Sequence, residues 1–334
     1  MQPLTVGTAT ASPGETARGV IVAGRDFDGP IEIPVVVVRG AADGPVLWVD
    51  GATHGDEPEG SIACWSLAKG IEAKRLAGTL VLVPIVNVAA AKNGSRGDPL
   101  DHVNYDLNRL YPGKPNGRGT ERLAWAYHQE FASKADVVIS LHSGGSMGYL
   151  SRVIYYNNIP ASLELAKAFG PGWDLIVEPA YSADRRPATG TIEAVCEAKG
   201  KPALVVELGG LSESLPDKLL RNSRCLADGC LNIMRYLKML SGTVERNGRW
   251  KLGREWIVQA STGGFWLPDA TCTVRSPVRG GTVLARIVDV YGETLEEIKA
   301  PCDGETIGLR TNPYVALPGD HCVFFAEILR EVSE

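Results

Sequence analysis

The feature that most constrains the fold is an alternation. Between residues 40 and 240, short apolar runs take turns with longer segments of helical periodicity. Residues 46–49 (VLWV), 79–86 (TLVLVPIV), 136–141 (DVVISL) and 202–207 (PALVVE) read as strands, as does 31–38 (IEIPVVVV) ahead of them. TLVLVPIV and DVVISL are apolar at nearly every position, which is what burial on both sheet faces demands. Residues 61–77, 119–134, 162–169, 191–199 and 217–240 read as helices. Strand and helix in regular exchange predict an α/β fold with a mostly parallel central sheet.

The pattern changes near Ser241. From residue 245 onward short strands with Gly and Pro punctuation recur, as in GGFWLP, SPVRGGTVL, APCDGETI and NPYVALPGD. The chain of 334 residues is therefore expected to hold a domain over 1–240 and a β-rich domain over 241–334 that caps the site. Phe265 and Trp266, at its start, are expected in its core or at an interface.

Charge and cysteine usage narrow the function. The net charge is −5 with no run of Lys and Arg, which argues against nucleic acid and anionic membranes as partners. No apolar stretch reaches 18 residues, and the first residues lack the basic and apolar blocks of a signal peptide. Seven scattered cysteines, an odd number without a CxxC, fit small buried hydrophobes in a reducing cytoplasm.

The chemistry gathers at strand ends, where open α/β sheets place their sites. There are five histidines. His54 follows the strand VLWV in GATHGDEPEG, with Glu57 three positions on. His142 follows DVVISL in SLHSGG, and Glu207 closes PALVVE in VVELGG. Each alone is an ordinary loop residue. Together, two imidazoles and a carboxylate are the ligand set of a catalytic zinc site, His54, Glu57 and His142, with Glu207 left as a carboxylate that takes a proton from water. In DHVNYDLNRLYPG, Asn108 and Arg109 can grip a carboxylate, the arginine through its planar fork.

The set GATHGDEPEG, DLNRLYPG, SLHSGG and VVELGG resembles the succinylglutamate desuccinylase/aspartoacylase family, a branch of the zinc-carboxypeptidase-like hydrolases. The resemblance covers nearly the whole chain. It implies a mixed sheet flanked by helices, one Zn²⁺ on His54, Glu57 and His142, and Glu207 as general base. It also implies a clamp of Asn108 and Arg109 for the substrate's α-carboxylate, and Arg96 as the group that polarises the scissile carbonyl. The implied activity is deacylation of a small N-acyl amino acid or related amide. A carboxypeptidase acting on short peptides and a non-catalytic binding protein stay open beside it.

Other polar residues receive looser readings. Arg185 and Arg186, in YSADRRPATG, are candidates for reading a second negative charge on the substrate, with a solvated loop as the alternative. Asp56 and Glu59 are candidates to orient the ligand imidazoles. His102 flanks the clamp and could touch substrate. His128 is expected on a helix surface, and His321 in a loop. A homo-oligomer, a dimer first, is the default for such a chain.

Overall fold

The computed structural model describes residues 2–27, 29–103, 105–178, 189–210, 215–270, 272–315 and 317–333. At its centre four parallel strands run in the order Ala77–Val83, Ala42–Gly51, Val137–His142 and Ala203–Gly209. Pro30–Arg39 and Thr16–Arg25 extend one side in antiparallel fashion. On the other side Gly148–Tyr156 lies antiparallel to Ala203–Gly209, and Leu175–Val177 runs parallel to Gly148–Tyr156. The sheet is mixed, and the strictly parallel part is its core.

Alternating side chains feed two separate cores. Leu47, Val49, Ile139, Leu141, Leu204 and Val206 meet Ala63, Cys64 and Leu67 of the helix Pro58–Gly70 and Leu226, Cys230 and Ile233 of the helix Pro216–Tyr236. Trp48, Val81, Val138 and Val205 point the other way, toward Leu123, Tyr127 and Phe131 of the helix Gly119–Lys134. All six residues of Val137–His142 are buried, as its apolar sequence predicts. The shorter helices Pro160–Lys167 and Ile192–Glu197 fall where helical periodicity places them.

Periodicity does not distinguish two strands. GYLSRVIYY mixes polar and apolar residues on both faces, and Leu175–Val177 is three residues long. Both become strands by pairing with neighbours that are distant in sequence.

Residues 249–333 contain no helix among the described residues, in line with a β-rich C-terminal part. Four of its strands, Pro277–Val278, Gly304–Arg310, His321–Ser333 and Arg249–Gln259, continue the central sheet, and two of them pair directly with strands of the first part. Arg249–Gln259 runs parallel to Leu175–Val177, and Gly304–Arg310 pairs antiparallel with residues 148–150, just beyond the His142 loop. A four-stranded sheet of Thr294–Lys299, Val283–Val288, Gly264–Pro268 and Tyr314–Val315 completes it. Trp266 is buried in its core with Leu284, Ile287 and Val315. No helix among the described residues is long and apolar enough to cross a membrane.

Candidate metal centre and active site

The strand Ala42–Gly51 leads into the turn that carries His54 and Glu57. Glu57 N donates to His54 O at 3.2 Å, and Pro58 opens the helix Pro58–Gly70, where its missing N–H costs nothing. Two glycines let this helix start close against the sheet. A Cβ on Gly60 would stand 2.8 Å from Leu141 O, and one on Gly51 would stand 2.5 Å from the Gly60 carbonyl carbon. That crossing brings Glu57 beside His142, the last residue of its strand.

Glu57 bridges the two histidines. Its Oε1 lies 2.7 Å from His54 Nδ1 and its Oε2 2.8 Å from His142 Nδ1. Ser143 N donates to the same Oε2 at 3.2 Å. One ligand atom from each of His54, Glu57 and His142 lies within 4.8 Å of the others, and all three residues are buried. Burial alone would raise the Glu57 carboxyl, but the charges and hydrogen bonds of His54 and His142 hold it well below the ordinary carboxylate range. Burial works to lower His54, but the Glu57 charge together with the hydrogen bonds to Asp106 and Glu57 outweighs it, so the imidazole is shifted upward.

The outer nitrogen of each ring is also held. His54 Nε2 lies 3.1 Å from Asp106 Oδ1, and His142 Nε2 lies 3.1 Å from Ser140 Oγ. Two imidazoles and a carboxylate that converge, with each ring anchored from behind, have the chemistry of a zinc donor set. The residues present therefore fit a divalent transition metal.

Asp106, which the sequence shows beside the Asn108–Arg109 pair without a role of its own, joins the site in the structure. It caps the short 3-10 turn Leu107–Arg109 by accepting from Asn108 N at 2.9 Å. The same carboxylate takes Arg96 Nε and Nη2 at 3.1 and 2.9 Å. Burial opposes its ionisation, yet the His54 hydrogen bond and the Arg96 charge push Asp106 far below its usual value. The available signal was an Asp at an N-cap two positions ahead of the Asn-Arg pair.

Arg96 is brought to the centre by this pairing, with Nη1 3.6 Å from Glu57 Oε1. Asn108 is buried, and its Oδ1 accepts from Ile192 N at 2.9 Å, which ties the turn Leu107–Arg109 to the helix Ile192–Glu197. Arg109 is exposed and donates through Nη1 to Asn108 O at 2.7 Å. Arg185 and Arg186 lie outside the described residues.

Glu207 stands next to His142 in the register of their parallel strands. Its Oε2 is buried and has no hydrogen-bond partner among the described residues. Burial, reinforced by the Glu57 charge, pushes the Glu207 carboxyl well above its usual value. A carboxyl held this way is suited to proton transfer. On the same sheet face, the Tyr155 hydroxyl donates to Glu255 Oε1 at 2.6 Å.

The remaining sequence candidates sort differently. Asp56 accepts from Ser146 N and Oγ at 2.9 and 2.7 Å, and Glu59 from Ser143 Oγ and Gly210 N at 2.7 and 3.0 Å. Both brace the loop that follows His142, and the ring contacts go to Asp106 and Ser140 instead. His102 is exposed. His128 is not a surface residue: it is 7% exposed and packs edge-on against Phe131 at 5.2 Å, because the face of its helix toward the sheet is wide. His321 is not in a loop but begins the strand His321–Ser333, opposite Gln259.

Residues 43–234, more than half of the chain, match the profile of the succinylglutamate desuccinylase/aspartoacylase catalytic domain. The chain belongs to this family. The stretch that matches the family runs from the strand before His54 to the end of the helix after Glu207 and so contains all the candidate ligands. Among its relatives is the N-alpha-acetyl-L-2,4-diaminobutyric acid deacetylase of Halomonas elongata, 29% identical over 91% of this chain and 88% of that protein. The product-bound structure of the ectoine utilization protein EutE (DoeB) from Ruegeria pomeroyi is similar with a TM-score of 0.83 and 25% identity, over 97% of this chain and 98% of that one. The succinylglutamate desuccinylase/aspartoacylase from Rhodobacter sphaeroides follows at a TM-score of 0.79 and 25% identity, over 93% and 96% of the two chains. Relatives in this family are thus deacylating hydrolases by name.

Proposed function

We propose that this protein is a zinc-dependent amidohydrolase that deacylates a small N-acyl amino acid, built on a zinc-carboxypeptidase-like core. The observation that carries the reading is the convergence of His54, Glu57 and His142 with Glu207 beside them. His54, Glu57 and His142 would hold one Zn²⁺, which when bound acts as a Lewis acid and lowers the pKa of water toward about 7.

The chain's own groups then have defined work. Glu207 takes the proton of the attacking water and returns it to the departing amine nitrogen. The Arg109 guanidinium, with Asn108, holds the substrate's α-carboxylate and so fixes the amide in register. Arg96, kept in place by Asp106, faces the charge that develops on the carbonyl oxygen. Arg185 and Arg186 remain candidates for reading an acidic acyl or side chain.

We assign catalysis to residues 1–240 and the capping of the cleft to 241–334. Burial and the positive charges of Arg96, Arg109 and Arg310 hold His321 below its usual value, which supports a C-terminal part that reaches toward the clamp. Seven free cysteines support a reducing, cytoplasmic setting. The partner we propose is a small molecule, with a homo-oligomer as the assembly.

The relative from Halomonas elongata makes N-acetyl-2,4-diaminobutyrate the first substrate to try. The test is metal analysis of purified protein together with amine release from a panel of N-acyl amino acids and dipeptides. About one zinc per chain, activity on acyl amino acids and its loss to a chelator are expected. Full activity in metal-free protein, or turnover of dipeptides alone, overturns the reading.

A further inference from the structure

His142 is backed by a chain of hydrogen bonds that runs into the core. Its Nε2 lies 3.1 Å from Ser140 Oγ, and Ser140 Oγ donates to Asp50 Oδ1 at 2.6 Å. Asp50 Oδ2 accepts from the Tyr127 hydroxyl at 2.7 Å, and Tyr127 Oη accepts from Trp48 Nε1 at 2.7 Å. Asp50, Ser140, Tyr127 and Trp48 are each 0% exposed.

The sheet explains why these groups meet. Ser140 and His142 are two apart on one strand and share a face. Asp50 and Ser140 are direct partners across parallel strands, and Trp48 lies two positions before Asp50 on the same face. The helix Gly119–Lys134 lays Tyr127 across them.

The proton positions follow from the donor inventory. Indole N–H can only donate, so Tyr127 Oη accepts from Trp48 and its own proton goes to Asp50. Asp50 accepts from Tyr127 on Oδ2 and, 2.6 Å from Ser140 Oγ, takes the single Ser140 proton on Oδ1. Ser140 then has only lone pairs left for His142, so His142 Nε2 is the donor in that contact. With Nε2 committed to Ser140, Nδ1 is the nitrogen turned toward Glu57 Oε2, 2.8 Å away, on the side where a metal would sit.

We propose that Asp50, acting through Ser140, is a positioning residue that orients the His142 ring through its Nε2–H and thereby sets its strength as a metal ligand. This rests on the metal-site reading above. The two ligand histidines are thus held by different means: His54 by a carboxylate in direct contact, His142 by a serine whose direction a buried carboxylate decides.

The test is zinc affinity by competition with a chromophoric chelator, for wild type, Ser140→Ala, Asp50→Asn and the double variant. Ser140→Ala should weaken zinc binding about 10–100-fold, the range for such outer partners, with the zinc-free protein still folded. Asp50→Asn should weaken it too, yet add little on the Ser140→Ala background, because both act on the same bond. ¹⁵N NMR of the His142 ring in zinc-free protein supplies a readout independent of metal: a hydrogen-bonded Nε2–H in wild type, whose signal shifts as that bond is lost in Ser140→Ala. Unchanged zinc affinity and an unchanged Nε2–H signal in Ser140→Ala overturn the proposal, whether or not Asp50→Asn folds. So do additive losses in the double variant. A wild type that binds no zinc is the distinct result, and it removes the metal-site reading and this proposal together.

Discussion

Glu207 and His142 are register partners on neighbouring parallel strands, so the proposed base and a proposed ligand leave one sheet face at the same height. The backbone hydrogen bonds of two buried strands fix that spacing, and no loop has to close to bring the groups together. Each side chain only has to extend from the end of its own strand.

Glu207→Gln tests the consequence. Gln keeps the size and one oxygen but cannot take a proton. If Glu207 is the base, kcat falls about 10²–10⁴-fold while zinc content stays at the wild-type level. Metal analysis beside steady-state kinetics checks both halves. A variant with near wild-type kcat would return Glu207 to a structural role.

Asp106 makes a different kind of claim, because one carboxylate serves His54, Arg96 and the Asn108 backbone at once. Asp106→Ala should therefore damage two readouts in one step. Zinc affinity should drop about 10–100-fold through His54, and KM should rise through the loosened clamp turn. Asp106→Asn retains the cap but not the charge, and should spare KM more than zinc affinity. Equal and small effects on both would mean that Asp106 only shapes its loop.

How much of this was legible in the sequence depends on what kind of signal each residue leaves. The central strands and the helix Gly119–Lys134 announce themselves, because double-sided burial forces apolar runs and single-sided burial forces a helical stripe. His54, Glu57, His142 and Glu207 were visible because three strand ends together carry the residue types of one metal site, although each alone is an ordinary loop residue. Gly148–Tyr156 and Leu175–Val177 were not visible, since their strand character comes from partners far along the chain. Asp50 and Ser140 hid for another reason. Inside a strand a polar residue reads as an interruption, and only the register Asp50 to Ser140 shows it to be a pair. His128 was misplaced because periodicity gives the face of a helix but not how wide its buried stripe is.

The clamp gives a prediction on substrate binding. Arg109 is exposed and held by its neighbour's carbonyl, while the Asn108 oxygen is already engaged by Ile192 N. Arg109→Ala should raise KM for N-acyl amino acids and leave kcat much less affected. Arg109→Lys should restore only part of the loss, since an ammonium keeps the charge but not the two-pronged geometry. Substrates whose carboxylate is an ester should be poor for wild type and no worse for Arg109→Ala. If Arg109→Ala still prefers the free acid as strongly as wild type does, the α-carboxylate is held elsewhere.

His128 gives a prediction on stability, away from the site. It is buried against Phe131, and burial, with the charge of Lys199 adding to it, lowers its affinity for a proton below the ordinary value of 6.5. The sign follows from linkage. Below about 6.5 the unfolded chain binds a proton at this position that the folded chain resists, so acid favours unfolding. The contribution of His128 is complete above pH 6.5 and is lost as pH falls through that value toward the lower folded one. One proton sets an upper slope of about 1.4 kcal/mol per pH unit. Replacing it by a group that never titrates, His128→Leu, should flatten the acid side. Urea unfolding at about pH 7.5 and about pH 5.5 would show a smaller loss of stability for the variant than for wild type, whatever the two proteins' difference at the higher pH. An identical acid loss in both would mean that His128 binds its proton equally well folded and unfolded, and that its burial against Phe131 carries no electrostatic cost.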